Sequence, residues 1–309
     1  MDHENGGYDR GKTLRRFSEL LLERGAMAFP NPTLRQRQLA MRLRELRHEK
    51  GLSAAEVAEQ LLCSPTKISR IERGQRPASL RDVRDLCRLY GLAEPKMTEL
   101  MTLAREARQK EWWQTLEDVK FAPMLGLEAG ATAITEYVIQ LVPGPMQTED
   151  YARAVIRGWL PRIAPDILEE RVQARGKRKS ELLFRADPPR YWVLLDESVL
   201  HRNVGNGQVM RAQLQHILEL AELPHVRIQV IPFTSGAHMG FDSPFRFLEF
   251  GRNSDIADTV FVEHQMGLFY LESDKTIRHF EEVIDHLRAE ALGFQESLNR
   301  VAEMLTKFS

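Results

Sequence analysis

Thr66, Ser69, Arg70 and Arg73 lie three and four residues apart within LSAAEVAEQLLCSPTKISRIERGQRPAS, residues 52–79. At helical spacing they share one face, opposite Ile68 and Ile71. Their chemistry is hydrogen bonding to base edges. An Arg fork can meet guanine O6 and N7, and a Ser or Thr hydroxyl can meet a base or a phosphate. Lys67 lies on the flank of that face. Ser64 precedes it, where a hydroxyl and the unpaired N–H groups of a helix start suit a phosphate. Arg76, just beyond the helix, is placed for another phosphate. This chemistry needs no cofactor and no metal, and none is expected.

The second half offers a different set: Asp196, Glu197, His201, His238, Glu263 and His264. None has the spacing of a nucleophile elbow, a zinc-binding helix, a phosphate loop or a dinucleotide fingerprint, so no catalytic residue is assigned. His238 in a glycine-flanked loop and Glu263-His264 at a strand end are candidates for a ligand pocket, walled by Ser235–Gly240 and Pro143–Pro145. Arg171, Arg175, Lys177, Arg178 and Lys179 form a basic helical run that would suit an acidic partner or simply face water.

The elements that position the first set are legible from their ends. Ser53 with Glu56 three residues on forms a capping box. Ser64 followed by Pro65 opens a second helix, and Gly74 stops it. Two short helices joined by a tight connection make a helix-turn-helix. Leu39, Leu43 and Leu46 mark a helix before them. Ser79 with Asp82, then Val83, Leu86, Cys87 and Tyr90, marks one after them. Glu94 to about Glu117 reads as a long helix leading to Trp112 and Trp113. Beyond Phe121, helices are expected over 127–141, from Thr148 to Trp159, over 165–184 and 208–223, and twice at the end. Strands are expected over 191–195, 226–231, 245–250, 259–263 and 268–271.

The stretch 52–79, and ISRIERG above all, resembles the DNA-binding domain of the xenobiotic-response-element, Cro and lambda-repressor-like family of bacterial regulators, over residues 33–92. The resemblance implies an all-α five-helix domain whose third helix, Ser64–Arg73, enters the major groove. It also implies a structural ion pair between Arg47 and Glu72, and homodimers on palindromic sites. Where the family often has Gln at the starts of its second and third helices, this chain has Ala54 and Pro65, so readout leans on Thr66, Ser69 and Arg70. LEAGATAITEY, VPGPMQTEDYARA, DPPRYWVLLDESVLHR and SGAHMG resemble a domain of unknown function, over residues 121–305. Actinobacterial helix-turn-helix regulators, some described as antitoxin-like, carry it behind their DNA-binding domain. They are often encoded beside a small protein, which implies such a partner here.

The expected plan is an N-terminal arm at 1–32, partly disordered, a helix-turn-helix domain at 33–92 and a helical connector at 93–120. An α+β regulatory or interaction domain follows at 121–309, with a small, mostly antiparallel sheet and helices against it. The 309 residues carry a net charge of −1, but residues 33–90 hold 13 Lys and Arg against 7 Asp and Glu, while the part after Lys110 is about −8. A basic module on an acidic body fits double-stranded DNA as partner. Two cysteines and no apolar run of spanning length point away from a disulfide framework and a membrane, and toward a cytoplasmic, nucleoid-associated protein. The reading is a sequence-specific transcriptional regulator whose second domain pairs copies and senses a partner protein or ligand. The alternatives are a protein-interaction module titrated by a small partner, and an enzyme in the second half.

Overall fold

The computed structural model describes residues 34–109, 122–251, 254, 256–264 and 267–308. The expected arm and the Trp112-Trp113 pair lie outside the described residues.

Helix α1 (Leu34–Glu49) leads into α2 (Ala54–Gln60), α3 (Pro65–Glu72), α4 (Leu80–Leu89) and α5 (Glu94–Glu106). The starts of α2, α3 and α4 follow their sequence signals. Ser53 and Ser79 form full capping boxes with Glu56 and Asp82, and the Ser64 hydroxyl accepts from Lys67 N. Leu43, Val57, Ile68, Ile71, Val83, Leu86, Tyr90, Leu100 and Ala104 close one core. Burial there pushes the Cys87 thiol up to about 11, so it behaves as a small apolar side chain. The long helix expected from Glu94 ends at Glu106. Arg108 N and Gln109 N bond back to Arg105 O and Glu106 O, three residues earlier, which tightens the chain into a turn.

The second domain runs α6 (Ala122–Gly130), β1 (Ala133–Val138), α7 (Glu149–Trp159), α8 (Pro165–Leu183), β2 (Arg190–Asp196), α9 (Ser198–His201), α10 (Gly207–Ala221) and β3 (Val226–Ile231). It continues with β4 (Phe245–Glu249), β5 (Thr259–His264), β6 (Gly267–Leu271), α11 (Asp274–Glu290) and α12 (Phe294–Lys307). The sheet order is β3-β2-β1-β4-β5-β6. β1–β2 and β2–β3 are parallel, and β1–β4, β4–β5 and β5–β6 antiparallel. The domain is thus α+β, but its sheet is larger than expected, six-stranded and mixed, with three of its five pairings antiparallel. The parallel part requires crossovers, and α7–α8 and α9–α10 supply them.

The helix expected over 127–141 is replaced by the end of α6 and all of β1. AITEYV has the β-branched and aromatic content of a strand, and five of its six residues are buried. One sheet face packs on α6, α7, α8, α10 and α12, through Ile134, Val193, Leu195, Leu214 and Val301. The other packs Tyr137, Leu194, Phe245 and Phe247 on Val283, Ile284 and Leu287 of α11. The outer edge of β3 is closed: Val230 N donates to Ser297 Oγ at 2.9 Å, and Leu292 N donates to Val230 O at 2.8 Å.

The two cores touch. Leu34 of α1 packs on the second core, so close to Gly130 that a Cβ there would lie 2.2 Å from a Leu34 methyl. Arg37 pairs with Glu272 and sits 5.8 Å from the Tyr270 ring centroid. Among the described residues no helix is long and apolar enough to cross a membrane.

A buried ion network lies under α6. Arg246 of β4 faces Glu136 of β1 in register and pairs with it. Arg246 also reaches Glu128 Oε1 at 2.5 Å. Arg178 of α8 holds the same Glu128 through two bonds, and Tyr191 donates to Glu136 at 2.5 Å.

Candidate nucleic-acid interface

α3 stands on its inward side chains. Ile68 and Ile71 are 2% exposed, and Glu72 is buried beside them. Arg47 Nε donates to Glu72 Oε1 at 2.8 Å, its second nitrogen to Oε2 at 3.0 Å, and Nη1 to Leu52 O at 2.7 Å. That fork joins α1 to α3 across the core. The hydrogen bond to Glu72 raises the Arg47 pKa further, against burial, so its charge is permanent.

With α3 fixed this way, Ser64, Thr66, Arg70, Arg73 and Arg76 are exposed, and Lys67 and Ser69 half-buried. Arg73 Nε donates to Ser69 O at 3.0 Å, which lays its side chain back along its own helix. Arg76 N bonds to Arg70 O at 3.1 Å, so the chain after Gly74 folds under α3 and keeps Arg76 near the same face. The side chains of Arg70 and Thr66 make no hydrogen bond or ion pair among the described residues, and their polar atoms are available to a partner.

Lys67 is engaged elsewhere. Its ammonium lies 2.5 Å from Asp82 Oδ1, the residue that caps α4. Burial pushes the Asp82 carboxyl up, but Lys67 and the bonds from Ser79 outweigh it and hold the group below its usual range. This contact was hidden in the sequence, because Asp82 already had a complete local role in its capping box.

The turn between α2 and α3 contains a second feature missed from sequence. Leu62 has φ +51° and is 94% exposed. A left-handed conformation costs a non-glycine residue about 1–2 kcal/mol, and here no side-chain burial offsets it. Leu62→Gly is therefore expected to stabilise the domain by about 0.5–1 kcal/mol, since glycine's larger unfolded-state entropy takes back part of the relief. Urea unfolding of both proteins measures it. A destabilised glycine variant would show that Leu62 has a contact in solution.

The second-domain candidates separate. His238 is 3% exposed at its side chain and meets Asp196, Tyr137 and Phe241. Glu263 is exposed on β5, and the His264 side chain lies outside the described residues. Glu197 accepts from Phe233 N and Arg300 and so staples two loops to α12. The basic run on α8 turns partly inward: Arg178 binds Glu128, Arg175 binds Gln147, and Lys179 bonds to Gln147 O. Burial lowers the Lys179 pKa.

Comparison with known proteins adds three findings. A helix-turn-helix domain family matches residues 38–100, and a domain of unknown function (DUF5753) matches residues 121–303. The HTH-type transcriptional regulator DdrOP3 of Deinococcus deserti is 30% identical over 132 residues, which are 43% of this chain and 92% of that protein. No solved structure matches.

Proposed function

The chain belongs to the family that carries this domain of unknown function (DUF5753), here behind a helix-turn-helix domain, and on that premise we propose that it regulates transcription by reading a specific DNA sequence with α3 in the major groove. That it is a DNA-binding regulator follows from the helix-turn-helix match and the regulator to which it is similar. The observation that carries the finer reading is the α3 face, on which Thr66 and Arg70 are exposed and unengaged while Ile68, Ile71 and Glu72 lock the opposite side.

Arg70 and Thr66, with Ser69, contact base edges. Ser64, Arg73 and Arg76 contact the backbone, and Lys67 shares its charge between Asp82 and a phosphate. Two copies bind a palindrome with half-sites about one helical turn apart. The second domain pairs the copies and senses a ligand or a small partner protein.

Selection of genomic fragments by the purified protein at two salt concentrations tests this. A recurrent palindrome bound well above background at both salts is the expected result. Weak, sequence-blind binding that disappears with salt would overturn it. On the selected site, Arg70→Ala is expected to cost about 1–3 kcal/mol and to relax preference at one or two base pairs. Arg76→Ala should weaken all sequences alike and reduce the salt slope by about 1. Equal losses on all sequences for both variants would remove the assigned roles.

A further inference from the structure

The strand order changes direction between β1 and β4. From β1 the chain builds outward through β2 to β3, then returns to add β4 on the other side of β1. In open sheets with parallel strands, the crevice beyond the C-terminal ends at such a reversal is where small ligands bind. Here β4 enters antiparallel, and the segment 236–244 that leads into it closes over the C-terminal ends of β1 and β2, with His238 against Tyr137 and Asp196.

Three polar side chains converge there. Tyr137, at the end of β1, is fully buried, and its hydroxyl has no hydrogen-bond partner among the described residues. Burial and the nearby Asp196 carboxylate both push that phenol up, which keeps it protonated. Asp196, at the end of β2, accepts from Ser198 N through Oδ1, leaving Oδ2 3.9 Å from His238 Nε2. Gly240 N donates to His238 Nδ1 at 3.2 Å. With Nδ1 accepting, the ring proton belongs on Nε2, facing Asp196 across a gap too long for a hydrogen bond.

The covering loop is inside out. His238 is turned in, while Met239 is 41% and Phe241 59% exposed. Buried polar and exposed apolar side chains on one loop are the informative departures from ordinary burial. Gly236 has φ +64° with open space around it, and Gly240 sits on the Tyr137 ring, where a Cβ would come within 2.6 Å. Movement about Gly236 would lift Gly240 off Tyr137 and open the three groups to a ligand.

Their chemistry selects the ligand. Asp196 Oδ2 needs a donor, His238 Nε2–H needs an acceptor, and the Tyr137 hydroxyl can serve as either. An ammonium cannot accept from His238, and a carboxylate would face Asp196. A hydroxyl satisfies all of them. The exposed Phe241 and Met239 supply apolar surface for whatever carries it. We propose that the site formed by Tyr137, Asp196 and His238, when the covering loop lifts, binds a small neutral molecule bearing a hydroxyl on an apolar ring. This deepens the sensing role proposed above and rests on that reading.

The test uses the full chain and three probes: p-cresol, toluene and benzylamine. At tenfold its dissociation constant p-cresol is expected to raise the thermal midpoint by about 3–6 °C, with toluene and benzylamine at the same concentration giving no shift. Tyr137→Phe deletes one oxygen and keeps the packing, and Asp196→Asn keeps the shape. Each should reduce p-cresol affinity at least tenfold by calorimetry, because a site built to bond a hydroxyl discriminates strongly once its partner is missing. Toluene matching p-cresol, Tyr137→Phe retaining full affinity, or no response to any probe would overturn the assignment. The same preparations are assayed on the selected DNA site. A protein that binds DNA but ignores all three probes loses this site and keeps the DNA-reading proposal.

Discussion

Arg246→Met is expected to destabilise the second domain by about 3–5 kcal/mol at neutral pH, the usual consequence of leaving a buried ion without its partner. The Arg246 side chain is 10% exposed between Glu128 and Glu136, whose side chains are 3% and 7% exposed. Among the described residues, removing it leaves Glu136 with the Tyr191 hydroxyl and Glu128 with Arg178. The pH dependence gives a second, independent readout. Burial by itself raises the Glu128 pKa, but Arg178 and Arg246 more than reverse that and hold it below the ordinary carboxylate range. In the wild type this group therefore adds stability above its unfolded pKa, and the contribution is lost as pH falls through the depressed folded value. In Arg246→Met the folded value rises, so acid should cost the variant less than it costs the wild type. The stability gap between them should narrow from pH 7 toward pH 4. Urea unfolding across that range measures it, and a gap that widens on acidification would contradict the network as described.

Glu72→Ala should have a comparable effect in the first domain, about 3–5 kcal/mol, for the same reason. Among the described residues, Arg47 would keep a buried fixed charge with only Leu52 O and the neighbouring His48 ring to receive it. For a domain of this size, net stability is itself only about 5–15 kcal/mol, so much of its margin goes. Two unfolding transitions are expected by calorimetry, the α1–α5 part melting early and the sheet domain at its usual temperature, with DNA binding lost at the first. Joint replacement by Arg47→Met and Glu72→Leu should recover most of the loss, since apolar side chains of similar volume need no partner. A cost below about 1 kcal/mol for Glu72→Ala would mean the fork is solvated.

The two domains differed in how far the sequence revealed them. In α1–α5 the starts of α2, α3 and α4 are local, whereas the end of α5 at Glu106 was not read. Ser53 with Glu56, Ser64 with Pro65 and Ser79 with Asp82 fix the starts within one turn, and the apolar stripes fix the faces. The exposed set on α3 follows from that geometry alone. What stayed hidden depended on a second element, as with the Lys67–Asp82 pair, or on backbone dihedral, as with Leu62. The sheet domain is built from non-local pairings. Nothing within Ala133–Val138 says that it lies parallel to Arg190–Asp196 and antiparallel to Phe245–Glu249. Glu136 lay in a stretch expected to be helical and Arg246 in an expected strand, and the sheet register makes them each other's buried partners. His238 was visible as a candidate, but its neighbours were not, because Tyr137 sat in a segment whose spacing also fits a helix.

The sealed flank of the sheet governs how copies of this chain can associate. Val230 gives its outward N–H and C=O to Ser297 and Leu292, so no further strand can add beside β3. The sheet has one growing end at most, the one at β6. Two chains that met there would each use up the edge the other needs, and a third would find nothing to pair with. Any strand-to-strand association at that end would be self-terminating. It would stop at a pair, whereas a sheet open on both flanks can propagate into fibres.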